Sequence, residues 1–477
     1  MERRGFWQEY RWTFLLGALP FVGFWLYGLF DLDEGFYAAV AAEMNRRGEW
    51  IIPYYNGEPW FEKPILLYWL AKPSIWLFGE MVGPRLPSVL ASIGLYLLVA
   101  WFSTRRLSPQ TGRLAILILA GSLLFVAAGR MMLTDPLLVL LLSGAFLTFW
   151  ESLVGDRRWR LLTALLLGLS VLAKGPVGLI LFAFPAGWTF WREPELRPAF
   201  RGYWVAGTLI LLIVVASWYL PAYLRAGDLF VQKFLIEQNV GRFTGGDVAH
   251  KLEGPQNLVF YIAILLIGML PYSLWVPRAW PLKARSDNPL LRYLAAWSTI
   301  VFVFFTLGGA KLPHYILPAV PPLAMLVAVH LGEGRKSLHW AGLWVVVIAV
   351  VENLGFMRYY AGELPGVTSH QEVHRLTRTA RDLGLPLAIY QMSRRQADRG
   401  TGGLKIQETS HPSALFYLGR DALQTDDFKA VLSLRRPTLI LTRIGRLDHE
   451  EERLAAAAGS RLTILERGRF YALARLD

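Results

Sequence analysis

Asp31, Asp33 and Glu34 stand together just after the first long apolar stretch, and Glu62-Lys63-Pro64 follows the aromatic pair Trp60-Phe61. Arg130 with Thr134-Asp135-Pro136, then Lys174-Gly175-Pro176, Glu237–Phe243 and Lys311-Leu312-Pro313-His314-Tyr315 continue the series, each beside the end of an apolar run. A carboxylate can take a proton from an acceptor hydroxyl. An ammonium or guanidinium group can hold a phosphate and stabilise the charge it gains as a leaving group. One charged cluster at a helix end is ordinarily solvated or snorkelling and carries no argument by itself. Several on one side of a membrane do, because ionisable groups at membrane depth pair with one another or mark a pathway. What has to be established is that the elements between them bring them to one side.

Those elements are apolar. The chain has 477 residues, of which 54% are hydrophobic and 18% charged, with 19 Trp, 27 Phe and a mean hydropathy of +0.36. A soluble chain would carry about a quarter charged residues. Long apolar runs recur from Trp12 to Glu352, after which the composition changes. This is a polytopic α-helical membrane protein with a soluble C-terminal part. The net charge of +13 does not indicate a nucleic-acid partner, because the basic residues form short clusters between apolar runs and no single stripe. The absence of cysteine excludes disulfides, thiolate metal sites and cysteine nucleophiles. Arg3 and Arg4 precede a first apolar run with no small-residue cleavage site, which reads as a retained first helix.

A spanning helix needs about 20 apolar residues. Candidate spans are 12–30, 86–104, 114–129, 136–154, 161–180, 182–191 with its flank, 203–224, 256–277, 293–310, 314–332 and 338–356. With the N-terminus cytoplasmic, the inner loops hold Arg105/Arg106/Arg113, Arg157/Arg158/Arg160, Arg192/Arg197/Arg201, Arg278/Lys283/Arg285 and Arg335/Lys336. All are short and basic, as the positive-inside rule requires. The outer loops are then 31–84, 130–135, 174–176, 225–255 and 311–313, and they carry every cluster of the opening series. Eleven spans with the C-terminus outside satisfy both constraints. The expected domains are a membrane domain over 1–357, with long outer loops at 31–84 and 225–255, and an outer α/β domain over 358–477. In the latter, Gln371–Leu383 reads as a helix with Ser369 or its neighbour as cap. Strands are expected at 386–390, 414–418, 438–442, 462–465 and 470–474, with a polar helix over 448–458. No fingerprint for phosphate, metal or nucleotide occurs there, so a structural or lid role is expected.

Within the first outer loop, Asp33-Glu34 precede a helical pattern with Tyr37, Val40, Ala41 and Met44 on one face, and acids at a helix start favour the dipole. Asn56-Gly57 makes a turn, and Ile65–Phe78 reads as an interfacial helix with aromatics at headgroup level. The order Asp33-Glu34, Tyr37, Asn56-Gly57, Phe61-Glu62-Lys63-Pro64 and Tyr68-Trp69 resembles the bacterial lipid-linked aminoarabinose transferases, relatives of the protein O-mannosyltransferases in the GT-C superfamily. Later motifs agree in the same order: Met132–Asp135, Leu172–Pro176, Asn239–Phe243 and Lys311–Pro318. The similarity covers about residues 10–330. There are two departures. Phe36 stands where these transferases often have Arg, and Glu237 where their loop tends to supply His. Both bear on the identity of the sugar.

The resemblance implies inverting transfer from a polyprenyl-phosphate sugar of the undecaprenyl type to a lipid A-like or other envelope acceptor, on the outer face of a bacterial inner membrane. The apolar tail of such a donor cannot leave the bilayer, so the site must open near the headgroups. Lys63 and Arg242, with Lys311 as a further candidate, are expected to hold the donor phosphate. Asp33 is the leading candidate base, and Asp135 faces the same volume. Against an acceptor that is already an anionic phosphate, Asp33 would position instead of deprotonating. Glu34, Glu62, Tyr37 and Tyr315 are expected at the sugar. Glu62 and Glu237 could share a divalent cation, although a salt bridge accounts for the same residues, and no motif requires a cofactor. His314 and His250 have no partner in the sequence and are expected to be exposed. A protein O-mannosyltransferase is the nearest alternative. A lipid or glycan transporter is the alternative of another class, but it would place ionisable groups at mid-span with repeat symmetry.

Overall fold

The computed structural model describes residues 5–31, 33–241, 256–280, 288–332, 334–365, 367–392, 411–447, 449–457 and 459–477. Arg242 and His250 lie outside them. Six helices among these residues are long and apolar enough to cross a membrane: Leu86–Arg106, Asp135–Val154, Trp204–Ala226, Pro289–Leu307, Pro313–Leu331 and Lys336–Ala361. Two bent pairs also qualify if each counts as one span, Pro109–Ala120 with Leu123–Gly129 at 71° and Gln256–Gly268 with Tyr272–Ala279 at 116°. Backbone groups in hydrocarbon must be satisfied internally, which is why the apolar runs resolve into helices.

The chain divides into two compact units. The first comprises the residues up to Phe24, Phe61–Leu70 and Arg85–Asn353. At its centre Asp135–Val154 is buried almost throughout, whereas Trp204–Ala226 leaves Leu209, Leu212, Ile213 and Leu220 exposed, as a lipid-facing helix does. The expected boundary between 161–180 and 182–191 is displaced: the helices are Trp159–Lys174 and Val177–Arg192. Gly175, at φ +83°, and Pro176 separate them, since the left-handed conformation ends one helix and proline opens the next. Basic ends are tied by buried acids. Glu151 takes Arg106 in a two-pronged pair at 2.6 and 2.7 Å, and Glu193 accepts from Arg292 at 2.6 Å.

The second unit comprises Trp25–Trp60, Ala71–Pro84 and Leu354–Asp477. Helix Asp33–Arg46 leads into the short antiparallel pair β1 (Tyr54–Tyr55) and β2 (Glu58–Pro59), joined through Asn56 and Gly57, both at positive φ. Five more strands form one mixed sheet, β3 (Leu387–Tyr390), β4 (Leu423–Thr425), β5 (Thr438–Arg443), β6 (Leu462–Arg467) and β7 (Tyr471–Leu476), in the order β4-β3-β5-β7-β6. β3 is parallel to β4 and β5, and β7 is antiparallel to β5 and β6. Ala388, Tyr390, Ile440, Ala474 and Leu476 pack on Phe428, Val431 and Ala455. Helix His370–Leu383 packs against β5 and β7. Residues 414–418, expected as a strand, belong instead to the helix Pro412–Leu418. Pro412 opens it and Gly419 closes it at φ +73°, two signals that outweigh the β character of Phe416 and Tyr417.

Candidate functional site

Helices Asp135–Val154 and Trp159–Lys174 are joined by residues 155–158 and run antiparallel, so the start of one lies beside the end of the other. Each terminus carries the charge its dipole prefers, Asp135 at the N-terminus and Lys174 at the C-terminus. The two side chains form an ion pair, with Asp135 3% and Lys174 12% exposed. A second approach comes from the 3₁₀ turn Pro313–Ala319, which packs against Asp135–Val154 and sets His314 Nε2 3.7 Å from the Asp135 carboxylate. His314, expected to be exposed, is therefore part of this cluster. The Lys174 ammonium also lies 4.3 Å from the centre of the Tyr315 ring, a cation–π distance. Lys63, buried at 8% exposure, adds its positive charge to those acting on Asp135. Lys63, Lys174 and His314, far apart in sequence, thus converge on the Asp135 carboxylate within the first unit.

Lys311 is 4% exposed and donates to Phe305 O and, at 2.7 Å, to Thr306 O, so its ammonium caps the end of helix Pro289–Leu307. Burial holds that ammonium below the usual lysine range. Arg130 is fully buried and donates to Pro20 O at 2.6 Å and Asn353 Oδ1 at 2.8 Å, a structural role that its place beside Asp135 in the sequence did not disclose. Glu62 is half-buried next to Lys63 in the first unit. Glu237 lies in a π-helical stretch, Val231–Gly241, and pairs with Lys233 at 2.9 Å. Among the described residues no three His, Asp or Glu side chains are arranged to hold a metal ion.

Asp33, Glu34 and Tyr37 belong to the second unit. Asp33 is the first residue of helix Asp33–Arg46. Glu34 is fully buried and accepts from Phe30 N at 3.0 Å, and Tyr37 is 4% exposed. Asp31 holds the network that sequence reasoning missed. Its carboxylate accepts from His411 Nδ1, Ser413 N and Ser413 Oγ, each at 2.8 Å. Burial alone would raise its pKa, but the His411 hydrogen bond and charge, then His370 and Ser413 N, bring it down to about 2. His370 and His374 are shifted the other way. Burial holds His370 below the ordinary imidazole value and His374 well below it, against the opposing pull of Asp31.

The apolar helices, with charged motifs at their ends, define a polytopic membrane protein. Its backbone matches the crystal structure of ArnT from Cupriavidus metallidurans bound to undecaprenyl phosphate with a TM-score of 0.77, over 98% of each chain at 17% identity. Residues 62–219 match the family model for dolichyl-phosphate-mannose-protein mannosyltransferases. An undecaprenyl phosphate-alpha-4-amino-4-deoxy-L-arabinose arabinosyl transferase of Erwinia tasmaniensis is 31% identical over 350 residues, 69% of this chain and 61% of the relative. An uncharacterized protein of Aquifex aeolicus is 33% identical over 327 residues, 67% of this chain and 73% of the relative. The chain is thus similar to the aminoarabinose transferases over about two thirds of its own length and shares the fold of ArnT. It spans about three fifths of the length of the arabinosyl transferase it matches.

Proposed function

We propose that this chain transfers a sugar, with inversion, from a polyprenyl-phosphate donor of the undecaprenyl type to a lipid A-like acceptor at the outer face of a bacterial inner membrane. The observation that carries the reading is the convergence of Lys63, Lys174 and His314 on Asp135 at one end of the bundle. The acceptor oxygen attacks the anomeric carbon as the bond from that carbon to the phosphate oxygen breaks, and polyprenyl phosphate leaves with the bonding pair. Lys63 and Arg242 hold the departing phosphate, whose charge grows through the step. Asp33 takes the proton of a hydroxyl acceptor, or orients an acceptor that is already an anion. Asp135, held by Lys174, and Tyr315 contact the sugar from the first unit, and Glu34, Tyr37 and Glu62 are assigned to substrate binding. Lys311 holds its own loop in place. Eleven crossings put the N-terminus inside, and put the active site and a C-terminal domain over 358–477 outside.

Mass spectrometry of envelope lipids and glycoproteins from cells with and without this chain tests the proposal. The expected result is one lipid species lighter by a single sugar residue when the chain is absent. A change confined to glycoproteins would move the acceptor to protein, the reading favoured by the description of the family model. No change in either fraction would overturn the proposal.

A further inference from the structure

We infer that the C-terminal segment is a positioning device for Asp33, acting through a latch centred on Asp31. The inference rests on the reading of Asp33 as the carboxylate of the transfer. Asp33 lies in a tight turn closed on both sides, by Phe30 N donating to Glu34 Oε2 at 3.0 Å and Gly35 N donating to Phe30 O at 3.1 Å. The Phe30 ring packs on Phe356, Tyr359 and His370. Residues farther along the C-terminal segment hold the turn by hydrogen bonds at two points. On one side Asp31 takes His411 and both the N–H and the hydroxyl of Ser413, while Tyr471 Oη meets the other His411 nitrogen at 3.2 Å. On the other side Leu29 N donates to Tyr417 Oη at 3.0 Å.

The glycines flanking the turn show how closely it is held. A β-carbon on Gly28 would stand 2.6 Å from His374 Nδ1 and Tyr360 Oη. One on Gly35 would stand 2.4 Å from Asp31 Oδ1 and 2.6 Å from Ser413 N. Contacts this short do not occur, so both positions exclude any larger residue without displacing the latch. His411 and Ser413 thus reach Asp33 through Asp31. They are positioning residues, and the groups they hold are two positions from the reacting carboxylate. A misplacement of about 1 Å at a reacting group can cost 10²-fold in rate while leaving substrate affinity intact.

The test uses the full chain in lipid nanodiscs with an undecaprenyl-phosphate sugar, measuring single-turnover transfer and donor KM. His411→Ala should lower the transfer rate about ten- to a hundredfold with donor KM unchanged. His411→Asn, whose amide can donate where Nδ1 does, should restore most of it. Ser413→Ala and Gly28→Ala should fall in the same direction, and they carry the test if His411→Ala does not accumulate. Parental turnover in these variants, a loss borne by donor KM, or no rescue by asparagine would each overturn the latch. Asp33→Asn in the same assay separates the two readings. An inactive Asp33→Asn beside fully active latch variants overturns the latch alone, whereas an active Asp33→Asn overturns the assignment of Asp33 and the latch with it.

Discussion

Asp33 and Lys63 are assigned opposite halves of one charge movement, and each can be tested by a substitution that preserves shape or removes charge. Asp33→Asn keeps the volume and the helix start but cannot accept a proton. Transfer should fall by about 10²–10⁴-fold while donor binding and folding persist. Lys63→Ala removes a charge-assisted hydrogen bond to a phosphate that gains charge as the sugar leaves. The expected loss is about 1.5–3 kcal/mol, or roughly 10–150-fold, falling on turnover more than on donor affinity. Single-turnover rates with donor titration measure both, and a Lys63→Ala enzyme within a few-fold of the parent would remove Lys63 from the site. The histidines of the second unit give a pH dependence whose sign is fixed. His370 and His374 are neutral in the fold and would bind protons when unfolded, with Asp31, Glu34 and Arg378 as their charged neighbours. Their contribution to stability is therefore fully present above about pH 6.5 and is lost as pH falls below it. Asp31, at about 2 against an ordinary 3.8, adds about 2 kcal/mol above pH 4 that disappears between about pH 4 and 2. Unfolding midpoints between pH 5 and 8 should drop on the acid side, and His374→Gln should flatten that drop. An unchanged slope would contradict the neutral assignment. The sequence displayed Asp135 and Lys174, because both stand at ends of apolar runs, but not that they pair. The latch was out of reach, since Asp31 and His411 are 380 positions apart and a lone histidine in a polar stretch carries no signal of a partner.

Elements show where local chemistry was readable and where packing overruled it. Helix His370–Leu383 is capped by Ser369, whose hydroxyl accepts from Glu372 N at 3.2 Å; the sequence left this cap open between Ser369 and its neighbour. Glu372 departs from the usual capping box. Its carboxylate accepts from Arg469 N at 2.9 Å, Phe470 N at 2.8 Å and Tyr471 N at 3.2 Å, so it holds the turn between β6 and β7. Ser369→Ala should cost about 1 kcal/mol, as an ordinary lost cap. Glu372→Ala should cost more, about 1–3 kcal/mol, because it strands several backbone donors. Chemical denaturation of the full chain in detergent measures both, and equal costs would contradict this division. The strand misread at 414–418 failed because β propensity was weighed without the proline and glycine at its ends. The displaced boundary at Lys174-Gly175-Pro176 has the same cause, since hydrophobicity runs across the break and only the glycine and proline mark it.

At the scale of the whole molecule, the fold class was readable because a membrane leaves few solutions for long apolar runs. The proposed orientation was readable from where the arginines lie. Reporter fusions after Arg160 and after Arg358 should report the cytoplasmic and outer sides respectively, and the same side for both would break the proposed topology and the shared outer site. The sugar and the acceptor were not legible, because they depend on pocket shape and on single positions such as Phe36, which periodicity and charge do not constrain. The central claim is that a polyprenyl phosphate is the leaving group of the transfer. The direct test is to supply purified chain in nanodiscs with undecaprenyl-phosphate sugar, labelled in both sugar and lipid phosphate, together with a lipid A-like acceptor. The account predicts one free undecaprenyl phosphate for each sugar transferred, with inverted anomeric configuration in the product. Sugar transfer without release of the lipid phosphate, or movement of the intact donor across the bilayer with no transfer at all, would contradict it.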